Sequence, residues 1–266
     1  FGCRAPPLAQ LTHLTKYVYS FEIFISILYF ILIMKLVDVH CHLNHARFKD
    51  DLKEVLNRAE QAGVKAIIVS GVNPPANQQV LELAKNFSVI KASLGIYPID
   101  ALGLSEGETG LPQMTEKIDL AQEFKFIEAH KDKIVAIGEV GLDFHWDKDH
   151  HEQQKENFRK IINFAKKIKK PLVIHSRKAE QECIDIVEEE IKNKEIPVVM
   201  HCFSGNKNLI KRAAALGYYF SIPPNIIKLQ HFQTLVEMVP LEELFTDTYA
   251  PWLSPFSDQK NEPAFV

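Results

Sequence analysis

The chain lacks the features that would place it in several common classes. Its four cysteines, Cys3, Cys41, Cys183 and Cys202, form no CxxC pair and no framework spacing among 266 residues, which argues against a disulfide scaffold and for a reducing compartment. Charge of one sign is not in excess. A formal net charge of -3 gives no global attraction to nucleic acid or an anionic membrane, so any polyanion must be held by local basic groups or by metal. No stretch is of low complexity. Long apolar runs are also scarce: residues 17–33 are apolar apart from Ser20, Glu22 and Ser26, short of the roughly 20 residues that cross a bilayer.

Methionine is missing from the first 33 residues, and the first one, Met34, directly precedes the apolar run Lys35-Leu36-Val37. Residues 1–33 read as translated upstream sequence, with a signal-anchor or a structural N-terminal helix as the alternatives. The domain is then expected over residues 34–266, and Asn261-Glu262-Pro263 reads as the opening of a final helix that the sequence truncates. With 46% hydrophobic and 24% charged residues, the composition is that of one large or two small globular domains with ample core.

From Met34 onward, strand-like and helical patterns alternate with short turns. Strands are expected at 35–42, 64–72, 89–96, 134–142, 171–177, 197–203, 218–222 and 244–249. Helices are expected at 50–62, 76–87, 115–130, 149–169, 179–194, 206–216 and 228–239. Gly63 and Gly217 stand where a helix C-terminus calls for a left-handed residue. This alternation predicts a parallel (β/α)8 TIM barrel rather than an open doubly wound sheet. The loop from Asp100 to Pro112 reads as a solvated connection, with a place at the border of the site as the alternative.

The chemistry gathers at the C-terminal ends of these strands, where barrels of this type carry their sites. In Asp38-Val39-His40-Cys41-His42, strand alternation puts His40 and His42 on one face and Cys41 on the other. Two imidazoles on a rigid platform can begin a metal site. Glu139 lies in an apolar run between Gly138 and Val140, where an unpartnered carboxylate would cost several kcal/mol, so a cation is its natural partner. His175 and His201 end the fifth and sixth strands, and Arg177 shares the His175 face, suited to an anionic oxygen. Cys202, next to His201, should face away from the site on the same alternation. Ser204 and Gly205 precede a helix whose N-terminal amides would cradle a phosphate, unless Ser204 is simply its N-cap.

Five segments carry a family resemblance: Asp38-Val39-His40-Cys41-His42-Leu43, Ile137-Gly138-Glu139-Val140-Gly141-Leu142-Asp143-Phe144, His175-Ser176-Arg177, His201-Cys202-Phe203-Ser204-Gly205 and Lys260-Asn261-Glu262-Pro263. In this order they resemble the signatures of the TatD family of metal-dependent deoxyribonucleases. The resemblance implies a cytoplasmic TIM-barrel hydrolase with two divalent metal ions, Mg, Mn or Zn, acting on DNA and on single-stranded ends in particular. It implies that His40 and His42 hold one ion, His175 and His201 the other, and Glu139 bridges them. Glu139 and Arg177 are the expected catalytic residues. Two positions depart from the pattern. Gly95-Ile96-Tyr97-Pro98 stands for a Gly-x-His-Pro signature. Asp247-Thr248-Tyr249-Ala250-Pro251 stands for Glu-Thr-Asp-x-Pro, so that Tyr249 replaces a metal-binding Asp that serves as general base. A phenol with an ordinary pKa near 10 is a poor base at neutral pH, and Asp247 lies two residues deeper, in reach only if the strand bulges. Rival readings are a different metal hydrolase on the same barrel, attacking amides, lactones or phosphomonoesters, and a metal-dependent nucleic-acid-binding member without turnover.

Overall fold

A computed structural model describes residues 35–266 apart from 106, 108 and 109; the apolar segment at 17–33 lies outside the described residues. Eight strands occur in the expected order: β1 (Leu36–Cys41), β2 (Val64–Ser70), β3 (Ile90–Ile96), β4 (Ile134–Gly141), β5 (Leu172–His175), β6 (Val198–Met200), β7 (Tyr219–Ile222) and β8 (Leu244–Thr246). They form one parallel sheet ordered β1 to β8. Beyond β8 the chain returns to β1: Thr246 Oγ1 donates to Val37 O, Tyr249 N to His40 O and His42 N to Ala250 O. The result is a nearly closed (β/α)8 barrel.

Helices fill the crossovers at Leu52–Gln61, Pro74–Asn86, Leu120–Ala129, His151–Ile168, Glu180–Glu190, Lys207–Ala215 and Gln230–Met238. Gly63 and Gly217 have φ of 93° and 75°, the left-handed turn that a side chain would strain. The third crossover departs from the expected start at 115. Ile118 is buried and its N–H donates to Ala101 O, which keeps this stretch out of the helix. Asp119 then accepts from the amides of Ala121 and Gln122, so the helix opens at Leu120. After β8 the last element is a 3-10 turn, Pro263–Phe265. Arg58 on the first helix fixes it by gripping Glu262 with two donors, at 2.8 and 2.6 Å.

The larger core lies where the outer faces of the strands meet the helices, with Phe158, Ile162 and Phe220 fully covered. A second apolar cluster joins Ala136, Val173 and Val199 to Tyr219 and Phe245. Val173 lies two residues before His175 on β5 and shares its face, so this cluster is the floor beneath the polar rim.

Candidate metal centre

Most of the strands end earlier than expected at their C-terminal ends, and that shortening shapes the site. His40 lies in β1 and His42 just past it, and alternation brings their Nε2 atoms to 3.1 Å from each other. Glu139 Oε2, from β4, lies 3.4 Å from His40 Nε2 and 3.2 Å from His42 Nε2. All three side chains are buried. Glu139 can stand there because Gly95 on β3 has no Cβ: one built at Gly95 would lie 2.3 Å from the Glu139 backbone nitrogen.

The orientation of each ring is fixed from behind. His42 Nδ1 lies 3.1 Å from the Ser70 carbonyl, so it carries the hydrogen and donates, leaving the lone pair on Nε2. The Ser70 hydroxyl meets His40 Nδ1 at 3.1 Å. Cys41 points away, as alternation demands, with its Sγ toward Ile68 O. Burial and the neighbouring His201 ring push the His40 imidazole down to about 3, so it is neutral at physiological pH. Three convergent donors, two imidazole nitrogens and a carboxylate oxygen, suit a divalent ion.

His175 ends β5 between two carboxylates, Nδ1 at 2.9 Å from Glu139 Oε1 and Nε2 at 2.8 Å from Asp143 Oδ2. Burial alone would lower its pKa, but the hydrogen bonds to Asp143 and Glu139 outweigh it and raise it to about 9. Burial would raise the Glu139 carboxyl, yet its bonds to His175 and His40 hold it well below the usual carboxylate range. Asp143 is set from all sides: its N–H donates to Gln154 Oε1, Oδ1 accepts from the amides of His145 and Trp146, and Oδ2 accepts from Tyr97 Oη.

His201 lies just past β6, stacked on His40 with ring centroids 3.7 Å apart. Its Nδ1 faces Asp247 Oδ2 at 3.1 Å and Ser221 Oγ at 3.2 Å. Its Nε2 and Asp247 Oδ1 are buried without a partner. Two orphaned buried polar atoms cost free energy unless something binds them, which again fits a cation. Asp247 was expected deep in the last strand. β8 instead ends at Thr246, which frees Asp247 to meet His201 without a bulge. Tyr249 has a left-handed backbone, φ 54°, and its ring stands 4.8 to 5.8 Å from those of His201, His40 and His42.

Three expectations are corrected here. Cys202 does not face away from the site: β6 ends at Met200, the alternation rule stops with it, and at φ 43° Cys202 turns to line the cavity beside His201. Ser204 is not the N-cap of the following helix; Asn206 is, and its side chain already accepts from the amides of Asn208 and Leu209, which removes them from a phosphate cradle. The 100–112 loop is no mere solvated connection, for Asp100, Leu111 and Pro112 wall the cavity.

That cavity, about 650 Å³, contains Glu139, His175 and His201 at its base. Arg177 lies beyond β5 at the rim, exposed, with its guanidinium 5.4 Å above the Trp146 ring. Trp146 is 47% exposed. Asp38, buried below His40, was not singled out as a site residue in the sequence. Its carboxylate accepts from Thr248 N and Oγ1, and burial raises it to about 8. Tyr97 and Asp143 likewise emerge as site residues only from the structure, although both lie in quoted motifs.

Residues 37–266 match the family described as TatD related DNase. The chain is 35% identical over 235 residues to the uncharacterized metal-dependent hydrolase YabD of Bacillus subtilis (strain 168), covering 87% of each. It is 34% identical over 233 residues to deoxyribonuclease TATDN3 of Homo sapiens, covering 86% of this chain and 82% of that one. The crystal structure of YjjV, a TatD homolog from Escherichia coli K12, superposes with a TM-score of 0.72 at 27% identity, over 86% of this chain and 85% of that one.

Proposed function

The chain belongs to the TatD related DNase family and is a metal-dependent hydrolase, and we propose that its substrate is DNA, cleaved at the phosphodiester. The observation that carries this reading is the convergence of His40 Nε2, His42 Nε2 and Glu139 Oε2 at the base of an open cavity. The choice of bond rests on the naming of the human relative as a deoxyribonuclease. His40, His42 and Glu139 would hold one divalent ion, Mg, Mn or Zn, and His201, with His175 once its proton is displaced, would hold a second. Bound metal would supply Lewis-acid polarisation of the phosphoryl group and activation of a water near neutral pH.

The residues of the chain do the rest. Ser70 fixes the His42 ring so that Nε2 keeps its lone pair. Arg177 offers its planar fork to the non-bridging phosphate oxygens at the rim. Trp146, exposed beneath that guanidinium, presents a face on which an unpaired base stacks, which favours single-stranded ends. His175, protonated while both its nitrogens face carboxylates, keeps Glu139 and Asp143 in place and holds a proton near the base of the cavity.

The test is release of labelled nucleotide from single-stranded DNA in Mn2+ or Mg2+. Release that EDTA and His42→Ala both abolish is the expected result. Folded, metal-loaded protein that hydrolyses an amide, lactone or phosphomonoester and leaves DNA intact would overturn the substrate. One observation favours a second reading, a nucleic-acid-binding member without turnover: Tyr249 stands among the three histidine rings where the resembling pattern has an Asp. Binding of DNA without cleavage, with cleavage gained by Tyr249→Asp, would select it.

A further inference from the structure

We propose that the turn after β7 is a second nucleotide subsite of the cavity, where Ile227 and Leu229 pack on an unpaired base, the Asn225 amide pairs with its edge and Lys228 meets a flanking phosphate. The proposal rests on DNA as substrate and says where the strand runs beyond the metal centre.

The turn is built to hold its side chains still. Pro223 and Pro224 fix the backbone that enters the 3-10 turn Pro224–Ile227. Asn225 O then accepts from the amides of Lys228 and Leu229, at 2.9 and 3.2 Å, and Gln233 Nε2 donates to Ile226 O at 2.9 Å. The Asn225 side chain takes no part in this closure. Asn225 is 8% exposed, yet no hydrogen bond among the described residues engages its amide, and Oδ1 is buried without a partner. An unpaired buried amide costs free energy, which a ligand that supplies a donor beside an acceptor recovers. The torsion that carries the amide is soft and two-fold, so a ligand can turn it to engage both atoms.

The neighbours of Asn225 indicate which ligand. Ile227 is 64% exposed and Leu229 43%. Single exposed apolar side chains are ordinary, but two beside an unpaired amide have the make-up of a ligand wall, apolar with one polar group that fixes orientation. Asn225 and Leu229 line the same cavity as Glu139, His175 and His201. An unpaired nucleobase matches this wall, with an apolar face and a donor next to an acceptor along its Watson–Crick edge. A phosphate has no donor for Oδ1. Lys228, exposed between the two apolar residues and in no ion pair among the described residues, supplies the charge for the phosphate beside that base. Trp146 lines the cavity from beyond β4, three strands round the barrel from β7. A strand with one base on Trp146 and another on Leu229 crosses the metal centre between them, and a duplex, whose edges are already paired, is excluded from the second position.

The test compares a short oligothymidylate with its 2,4-difluorotoluene isostere, which keeps the shape of the base and lacks the polar edge, in Mn2+ with the full chain. The KM for nucleotide release should be roughly 5- to 150-fold lower for the thymine strand, the worth of a two-bond amide–base contact. Asn225→Leu should bring that ratio toward one and leave the melting temperature undiminished, because the amide bonds nothing in the fold. Lys228→Ala should keep the ratio and lower the slope of log affinity against log salt by about one. Where a strand is bound without turnover, fluorescence anisotropy reads the same ratio as Kd. Equal values for the two strands with the parent protein overturn the subsite and leave the nuclease reading intact. A ratio that survives Asn225→Leu overturns it too, as does a lowered melting temperature with both strands weakened alike. Folded, metal-loaded protein that neither binds nor cleaves either strand overturns the DNA reading and the subsite together.

Discussion

Tyr97 donates its hydroxyl hydrogen to Asp143 Oδ2 at 3.0 Å, and the same oxygen lies 2.8 Å from His175 Nε2. A phenol thus occupies a place where the resembling pattern has an imidazole, and it acts on the centre through a carboxylate. Tyr97→Phe removes one partly buried hydrogen bond and should cost about 1 kcal/mol of stability. Urea denaturation of the metal-free protein measures it. An unchanged midpoint would show that the bond contributes nothing.

The metal-free protein should lose stability as the pH rises from neutrality. His175 is raised to about 9, so its contribution is complete below 6.5 and lost as pH climbs through 9. Asp38, raised from 3.8 to about 8, acts with the same sign between those values. Glu139 is depressed, and its contribution is lost only as pH falls below the usual carboxylate range. The steepest decline should lie where His175 and Asp38 titrate together, with each proton contributing at most about 1.4 kcal/mol per pH unit. Melting temperatures in EDTA across that range check the slope, and Asp38→Asn should flatten it.

Glu139→Gln keeps the shape of the side chain and removes its charge. Loss of an outer-shell partner of a metal ligand costs about 10–100-fold in affinity or activity, and loss of Glu139 should exceed that in kcat/KM. Metal content by elemental analysis should fall in parallel. Full metal occupancy in this variant would remove Glu139 from the ligand set.

Trp146→Ala should weaken binding of single-stranded DNA with little change in kcat. A stacked base is worth about 1–3 kcal/mol, so KM should rise by roughly 5- to 150-fold. Arg177→Ala should also reduce the dependence of binding on salt. Equal KM values for the variant and the parent would place the strand elsewhere on the rim.

Metal and pH should be linked. Binding at a histidine requires its neutral form, and any site that draws on His175 must first displace a proton. Calorimetry of Mn2+ binding in two buffers of different ionisation enthalpy should show proton release near pH 7. Identical heats in both buffers would show that His175 keeps its proton and stays outside the ligand set.

The sequence by itself determined the eight strands, the seven helices between them and the facing of His40 and His42, because apolar periodicity and strand alternation are local rules that operate within an element. Glu139 was legible for a related reason: a carboxylate in an apolar strand needs a partner. Tertiary structure alone decided the rest. Alternation ends where the ladder ends, so the side to which Cys202 turns and the meeting of Asp247 with His201 follow from where β6 and β8 stop. The grip of Tyr97 on Asp143 spans a whole β/α crossover, and no local pattern encodes such a distance. The wall that the 100–112 loop gives the cavity likewise depends on long-range packing, as in the hydrogen bonds from Asn73 Nδ2 to Asp100 and to Pro112 O. Periodicity assigns each side chain to a face; only the closed barrel brings faces from different strands to one point, where their donors can hold a metal ion.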